Sequence, residues 1–241
     1  MDRESGFARL VRHLQSHGEV VTYDRQGYNR SLNAPGDRSI SAHMDDLLTV
    51  IGSVPSIVIG HSLGGSIALG LASRSPESFR GLVIYESPMS WEPWWSKDGG
   101  GSMAARAPTP EDAAESFMRR FVGRERWDRL PQRTKDSRRA EGAALRAESI
   151  SLRGGAPWMV TRVECPVMSG CGDGSRDDFR RSARIVSELS VDSRMVVLPG
   201  AHHNAHAANA GDFYGLLVLP LIRRLESGRW DPPASAGSFR G

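Results

Sequence analysis

Short apolar runs alternate with amphipathic segments along most of the chain, which is the pattern of alternating strands and helices. Phe7, Leu10 and Leu14 recur at helical spacing and predict an amphipathic helix over 5–16. Runs of β-forming residues, each followed by polar loop residues, predict strands at 19–24, 56–59, 82–85, 167–168 and 195–198. Apolar strands that alternate with helices are typical of a sheet buried on both faces. The chain therefore predicts an α/β fold with a mostly parallel sheet between two layers of helices.

A long segment without strand signals separates the predicted strands at 82–85 and 167–168. It is far longer than an ordinary connection, and its parts at 111–130 and 134–152 favour helix. We therefore expect a helical cap at 87–160, inserted into an α/β core made of 1–86 and 161–230. The tail 231–241, rich in Pro, Ser, Gly and Ala, is expected to be disordered.

Most of the tryptophans lie in or beside the predicted cap, namely Trp91, Trp94, Trp95, Trp127 and Trp158. They can form the small core of the cap, or line an apolar pocket above the sheet. Trp94 and Trp95 are the stronger pocket candidates because they follow a strand end, where open α/β sheets bind their ligands.

Composition indicates the class of protein but not the reaction or the ligand. The 39% hydrophobic and 24% charged content is that of a folded globular protein, and a net charge of +3 argues little for nucleic-acid binding. The longest apolar run, 216–222, is far shorter than the ~20 residues of a membrane span. The amino terminus lacks the pattern of a secretory signal, so a cytoplasmic protein is expected. Cys165 and Cys171 have neither disulfide-framework nor zinc-site spacing.

The strongest chemical signal is the segment Gly-His-Ser-Leu-Gly-Gly at 60–65, between a predicted strand and a small-residue helix. In this context the G-x-S-x-G spacing is that of a nucleophile elbow, which exposes its serine at the tip of a tight turn. Gly60 and Gly64 are expected where the two backbones approach each other. Ser62 is thus the predicted nucleophile, and the Leu63 N–H is expected to face a developing oxyanion.

A serine nucleophile needs an imidazole to accept its proton and a carboxylate to orient that imidazole. His202, His203 and His206 follow the last predicted strand, and one of them is expected to be the base. Asp173, at the carboxyl end of the strand at 167–168, is the predicted acid. Glu86, just beyond the strand at 82–85, is the alternative. No carboxylate or cysteine at ligand spacing accompanies the histidines, so no metal site is predicted.

These motifs together resemble the α/β-hydrolase superfamily, and the resemblance covers nearly the whole chain. Besides the elbow, residues 24–31 are similar to the family's D-R-x-G-x-G-x-S segment, with Asn29 in place of the second glycine. The late Gly-Ala-His-His aligns His203 with the family's base. The resemblance implies a serine hydrolase that cleaves a small ester or related acyl substrate through Ser62, His203 and Asp173, by an acyl-enzyme intermediate. It implies no metal and no organic cofactor.

Two other functions fit the same motifs. The first is a thioesterase, lactonase or carbon–carbon bond hydrolase that uses the same residues. The second is an inactive relative that holds an apolar ligand in the capped pocket. The elbow is specific for the fold and weakly specific for the substrate.

The beginning of the chain departs from the family pattern. Family members have further strands and an oxyanion loop before the helix that matches 5–16, so the resemblance implies a fold that is N-terminally truncated relative to the family. The missing strand would lie between 19–24 and 57–59. Either these two segments pair directly, or the coding sequence begins upstream of Met1. In the absence of the loop, the second oxyanion donor is unassigned and feeble activity is expected.

Overall fold

Four parallel strands and twelve α-helices make up the part of the chain that the computed structural model describes, residues 3–158 and 163–230. The strands lie side by side in the order β1 (Ser56–His61), β2 (Phe79–Tyr85), β3 (Val167–Gly172) and β4 (Ser193–Leu198). The helices are α1 (Ala8–Leu14), α2 (Ile40–Ile51), α3 (Leu63–Arg74), α4 (Gly100–Arg106), α5 (Pro110–Val122), α6 (Arg124–Arg129), α7 (Gln132–Arg139), α8 (Gly142–Arg153), α9 (Asp177–Glu188), α10 (Ala205–Ala208), α11 (Ala210–Phe213) and α12 (Leu219–Ser227). The predicted α/β class with a parallel sheet is confirmed.

Helices cover both faces of this sheet, as the apolar strands predict. Leu82 and Ile84 of β2 pack into a core shared with α2, α3 and α9. Val83 and Tyr85, the alternate residues of the same strand, pack against α1, α11 and α12 on the other face. Because successive side chains of a strand point to opposite faces, β2 has to be apolar throughout. Among the described residues, no helix is long and apolar enough to cross a membrane.

The prediction of a strand at 19–24 is wrong. Residues 19–25 form neither helix nor β-ladder, and in the described part of the chain the sheet ends at β1. Residues 17–23 and β1 both line a cavity of about 700 Å³. An extended segment becomes a strand only when a neighbouring strand accepts its hydrogen bonds, and here that cavity separates it from β1. Of the two alternatives, the direct pairing of 19–24 with 57–59 is therefore not formed.

Five helices, α4 to α8, lie along the chain between β2 and β3, where the sequence predicts the cap. Trp127 of α6 is fully buried and Trp158 packs edge-on against Trp91, with ring centroids 5.0 Å apart. The domain boundaries at 87–160 stay a prediction. The expected disorder of 231–241 concerns residues outside those the structure describes.

A buried group of charged and polar side chains ties this helical insertion to the core. Glu148 of α8 accepts hydrogen bonds from Arg25 at 3.0 Å and from the Tyr28 hydroxyl, and His43 of α2 lies 3.5 Å away. Burial by itself would raise the pKa of Glu148, but the charge of Arg25 and the nearby His43 lower that pKa to about 2. The carboxylate therefore stays ionised and joins α8 to α2 and to the segment that contains Arg25.

Glu148→Gln is expected to lower the free energy of unfolding at pH 7 by about 3 kcal/mol, because it leaves Arg25 buried without its counter-charge. The folded-state pKa lies below the ordinary 4.5, so the contribution of the carboxylate is present above about pH 4.5 and is lost as the pH falls towards about 2. Urea unfolding at several pH values should show the difference between parent and variant shrinking over that range.

Glu125→Gln is the matched control for this experiment. Glu125 pairs with Arg129 on the exposed surface of the insertion, so its loss should change the free energy of unfolding by about 0.5 kcal/mol or less. Equal stabilities of the parent and Glu148→Gln at pH 7 would contradict the role of the buried carboxylate.

Candidate active site

Ser62 lies at the tight turn that joins β1 directly to α3. Its backbone has φ 53° and ψ −126°, a sparsely populated conformation for a residue with a side chain. The turn is held to the neighbouring strand, because the Ser62 N–H donates to the Tyr85 carbonyl at 2.9 Å. This strand-to-helix turn leaves the serine hydroxyl at the wall of a cavity beyond the carboxyl end of the sheet.

Two glycines allow the strand and the helix to approach at this turn. A Cβ on Gly60 would lie 2.6 Å from the Cα of Gly65, and a Cβ on Gly65 would lie 3.1 Å from Ile84. A Cβ on Gly64 would meet nothing within 4 Å, so the expectation that Gly64 is needed for close approach is wrong. The tight contact falls one residue later because the first turn of α3 brings Gly65 against β1.

His203 bridges Ser62 and a carboxylate at the same edge of the sheet. Its Nε2 lies 3.1 Å from Ser62 Oγ, and its Nδ1 lies 2.7 Å from Glu86 Oε2. These partners assign the tautomer in which Nδ1–H donates to the carboxylate and Nε2 accepts from the hydroxyl. Phe179 stacks on the imidazole at 4.5 Å, and His61 Nε2 lies 2.6 Å from the His203 carbonyl. The ring is therefore held by Ser62, Glu86 and Phe179, and the backbone of His203 is held by His61.

Glu86 follows β2 and is almost completely buried. One carboxylate oxygen accepts from the Gly172 N–H at 2.9 Å and from the Ser175 hydroxyl, and the other faces His203. Burial raises the pKa of Glu86, but the interaction with His203 and the hydrogen bonds donated by Gly172 and Ser175 bring that pKa below its ordinary value. Glu86 is therefore ionised at neutral pH.

The structure does not bring Asp173 to His203. Asp173 follows β3 as predicted, but its side chain is exposed, and its described hydrogen bonds are made by the backbone, to Leu198 and Arg180. The physical reason is strand order: β2 lies next to β1, so Glu86 emerges beside Ser62. The carboxylate that lies beside His203 is the alternative, Glu86, and its place after β2 was the signal available in the sequence.

Only one of the three late histidines reaches Ser62 among the residues described. His202 is exposed and its Nδ1 lies 2.9 Å from the Gly174 carbonyl oxygen, whereas His206 is buried with its ring 4.1 Å from that of His61. Within 3–158 and 163–230, no group of three or more His, Cys, Asp or Glu side chains is placed to hold a metal ion.

Leu63 is the first residue of α3 and borders the same cavity as Ser62. Helix geometry leaves an N–H at this position without an acceptor in its own helix, and the positive end of the helix dipole adds to its attraction for negative charge. This is the position where the sequence predicts an oxyanion donor.

The cavity beside Ser62 has a volume of about 550 Å³. Apolar side chains of the insertion and of α9 form much of its wall, including Trp95, Phe117, Phe121, Leu145, Leu152 and Phe179. Of the two tryptophans expected at a pocket, Trp95 lines this cavity. Trp94 packs against Trp95 at 5.8 Å and against the guanidinium of Arg181 at 4.3 Å.

Comparison with known proteins places this architecture in a family. Residues 3–215 match the model of the alpha/beta hydrolase family. The chain is 26% identical over 240 residues to the pimeloyl-(acyl-carrier protein) methyl ester esterase of Chromobacterium violaceum, covering 92% of this chain and 89% of that protein.

Solved structures show the same fold. A thermophilic esterase from Thermogutta terrifontis superposes with a TM-score of 0.71 at 16% identity, over 92% of this chain and 86% of that one. The enol-lactonase from Burkholderia xenovorans superposes with a TM-score of 0.64 at 22% identity, over 92% and 87% of the two chains. The chain therefore belongs to the alpha/beta hydrolase family, as its motifs predict, and is a hydrolase.

Proposed function

We propose that this hydrolase cleaves small esters by acyl transfer through Ser62, with His203 as general base and acid and Glu86 as the group that orients the imidazole. The observation that carries this proposal is the His203 ring, which lies 3.1 Å from the Ser62 hydroxyl and 2.7 Å from the Glu86 carboxylate. These are the contacts that an activated serine requires.

In the first half of the reaction, Ser62 Oγ attacks the ester carbonyl while its proton passes to His203 Nε2. The ionised Glu86 stabilises the imidazolium that forms, and the Leu63 N–H donates to the tetrahedral oxyanion. The C–O bond to the alcohol then breaks, and Nε2 returns the proton to the leaving oxygen. In the second half, water attacks the acyl-enzyme along the same route and releases the acid and the free serine.

The cavity and one relative support an ester as the substrate. A space of about 550 Å³ with aromatic and aliphatic walls fits a small organic molecule with an apolar portion. The Chromobacterium violaceum relative, which aligns with 92% of this chain, is named a methyl ester esterase. We therefore place oxygen esters ahead of thioesters, lactones and carbon–carbon bonds, and a panel of these substrates separates them.

Ser62→Ala is expected to lower kcat on a short 4-nitrophenyl ester by roughly 10⁴-fold or more, because it removes the oxygen that attacks the carbonyl and accepts the acyl group. The parent should also be labelled by a fluorophosphonate probe, and the variant should not. Ser53→Ala, at an exposed serine before β1, is the control and should keep the parent rate. Parent-like turnover by Ser62→Ala would exclude the serine mechanism.

Glu86→Gln is expected to lower kcat by about 10³ to 10⁴-fold with a smaller effect on KM, because the amide favours the wrong imidazole tautomer. Asp173→Asn should change kcat by less than about three-fold, since its exposed side chain can be replaced at little cost. Steady-state kinetics of the two variants make the comparison, with circular dichroism to check folding. A larger loss for Asp173→Asn would return the orienting role to Asp173.

A further inference from the structure

Two arginines of the insertion, Arg120 and Arg126, line the cavity that contains Ser62, and both are exposed. Arg120 lies in the last turn of α5, next to Phe121, whose ring stands edge-on to the His203 ring with centroids 6.4 Å apart. The end of α5 is therefore close to the reacting groups, and Arg120 borders the space that a bound substrate would occupy.

The carboxylates near these arginines are engaged with other partners. Glu115 pairs with Arg119 and Arg139, and Glu125 pairs with Arg129. Asp128 pairs with Arg119 at 2.7 Å. Among residues 3–158 and 163–230, no hydrogen bond or ion pair to a carboxylate is found for Arg120 or Arg126. Basic side chains also outnumber acidic ones along 100–139.

Among the described residues that line the cavity, no acidic group is free to neutralise these two charges. Its two carboxylates, Glu86 and Glu148, are buried and already bound by His203 and by Arg25. A third arginine of the wall, Arg176, is held by Asp178. The remaining wall is mainly apolar, so the cavity combines a nucleophile, an apolar lining and two uncompensated guanidinium groups.

We infer that the preferred substrates are esters whose acyl chain ends, away from the scissile carbonyl, in an anionic group that Arg120 and Arg126 bind. This inference rests on the proposed ester hydrolysis at Ser62. A guanidinium presents its donors as a planar fork that matches the oxygens of a carboxylate or a phosphate, and the apolar wall accommodates the chain between the two ends. The shared chemistry is a terminal anion with two or more equivalent oxygens.

An alternative role for these arginines is to stabilise helix ends, since both lie in the last turn of a helix. That role predicts a small loss of stability on substitution and the same kinetics towards charged and neutral esters. Substrate charge therefore separates the two roles, and stability alone does not.

The test compares the mono-4-nitrophenyl ester of octanedioic acid with 4-nitrophenyl octanoate, which has the same chain length and no terminal charge. The parent should have the lower KM for the charged ester. Arg120→Gln and Arg126→Gln should each raise that KM about three-fold, and the double variant about ten-fold, with kcat nearly unchanged. KM for the neutral ester should stay constant. Added salt should raise KM of the parent for the charged ester only.

Arg133→Gln is the matched control, because Arg133 is an exposed arginine of α7 that does not border the cavity. It should leave KM for both esters unchanged. The ratio of KM for the charged ester to KM for the neutral ester is the quantity to compare. If it is the same in the parent, the double variant and the control, the anion site is overturned, whereas the proposal of ester hydrolysis is unaffected.

Binding without turnover separates the two proposals. In the Ser62→Ala background, octyl phosphate, octanoate and 1-octanol are titrated by the fluorescence of tryptophan, since Trp95 lines the cavity. Tighter binding of either anion than of octanol, lost in the double arginine variant, supports the site, and the tighter of the two anions identifies the charge group. If the parent cleaves neither ester but binds an anion more tightly than octanol, and the double arginine variant does not, the proposal of ester hydrolysis is wrong and the proposal of an anion site is supported. Equal binding of anions and octanol overturns the site.

Discussion

Parallel pairing of β1 with β2 is the constraint on which the candidate site depends. The register sets His61 opposite Tyr85, so the residues that follow, Ser62 and Glu86, leave the sheet side by side. The carboxyl ends of parallel strands share one edge, and the loop after β4 brings His203 to the same edge. A slip of one residue would turn every side chain of the strand to the opposite face and separate the two groups.

Two residues at the carboxyl end of the sheet have unusual backbone conformations. Ser62 and Glu86 both have positive φ, 53° and 50°, which costs about 1 to 3 kcal/mol for a residue that carries a side chain. The buried sheet supports this strain, since the N–H of Ser62 donates to Tyr85 and that of Glu86 donates to Gly170. In return, the two side chains converge on one imidazole, an arrangement that unstrained extended backbone after β1 and β2 would not produce.

Charges in the insertion are divided into two groups with different surroundings. Glu148 is buried and satisfied by Arg25 and Tyr28, which joins α8 to the core beneath it. Arg120 and Arg126 instead remain exposed beside the cavity. Burying an unpaired charge is costly, whereas an exposed guanidinium keeps its hydration until a ligand replaces it. The buried group therefore fixes the insertion on the core. The two exposed arginines are available to bind a substrate, and the fold by itself does not specify which substrate that is.

The sequence by itself determined the four strands of the sheet and the helical segment between β2 and β3, because these depend on periodicity. A local motif made Ser62 the candidate nucleophile, and the family resemblance selected His203 among the three late histidines. The sequence did not determine which carboxylate, Asp173 or Glu86, lies beside His203, since that depends on strand order and on the positive φ of Glu86. The segment 19–24 has strand-forming residues but no adjacent strand to pair with, and β-structure requires a partner that local sequence cannot supply. Likewise, only the packing of α3 against β1 decided that Gly65, and not Gly64, makes the close contact.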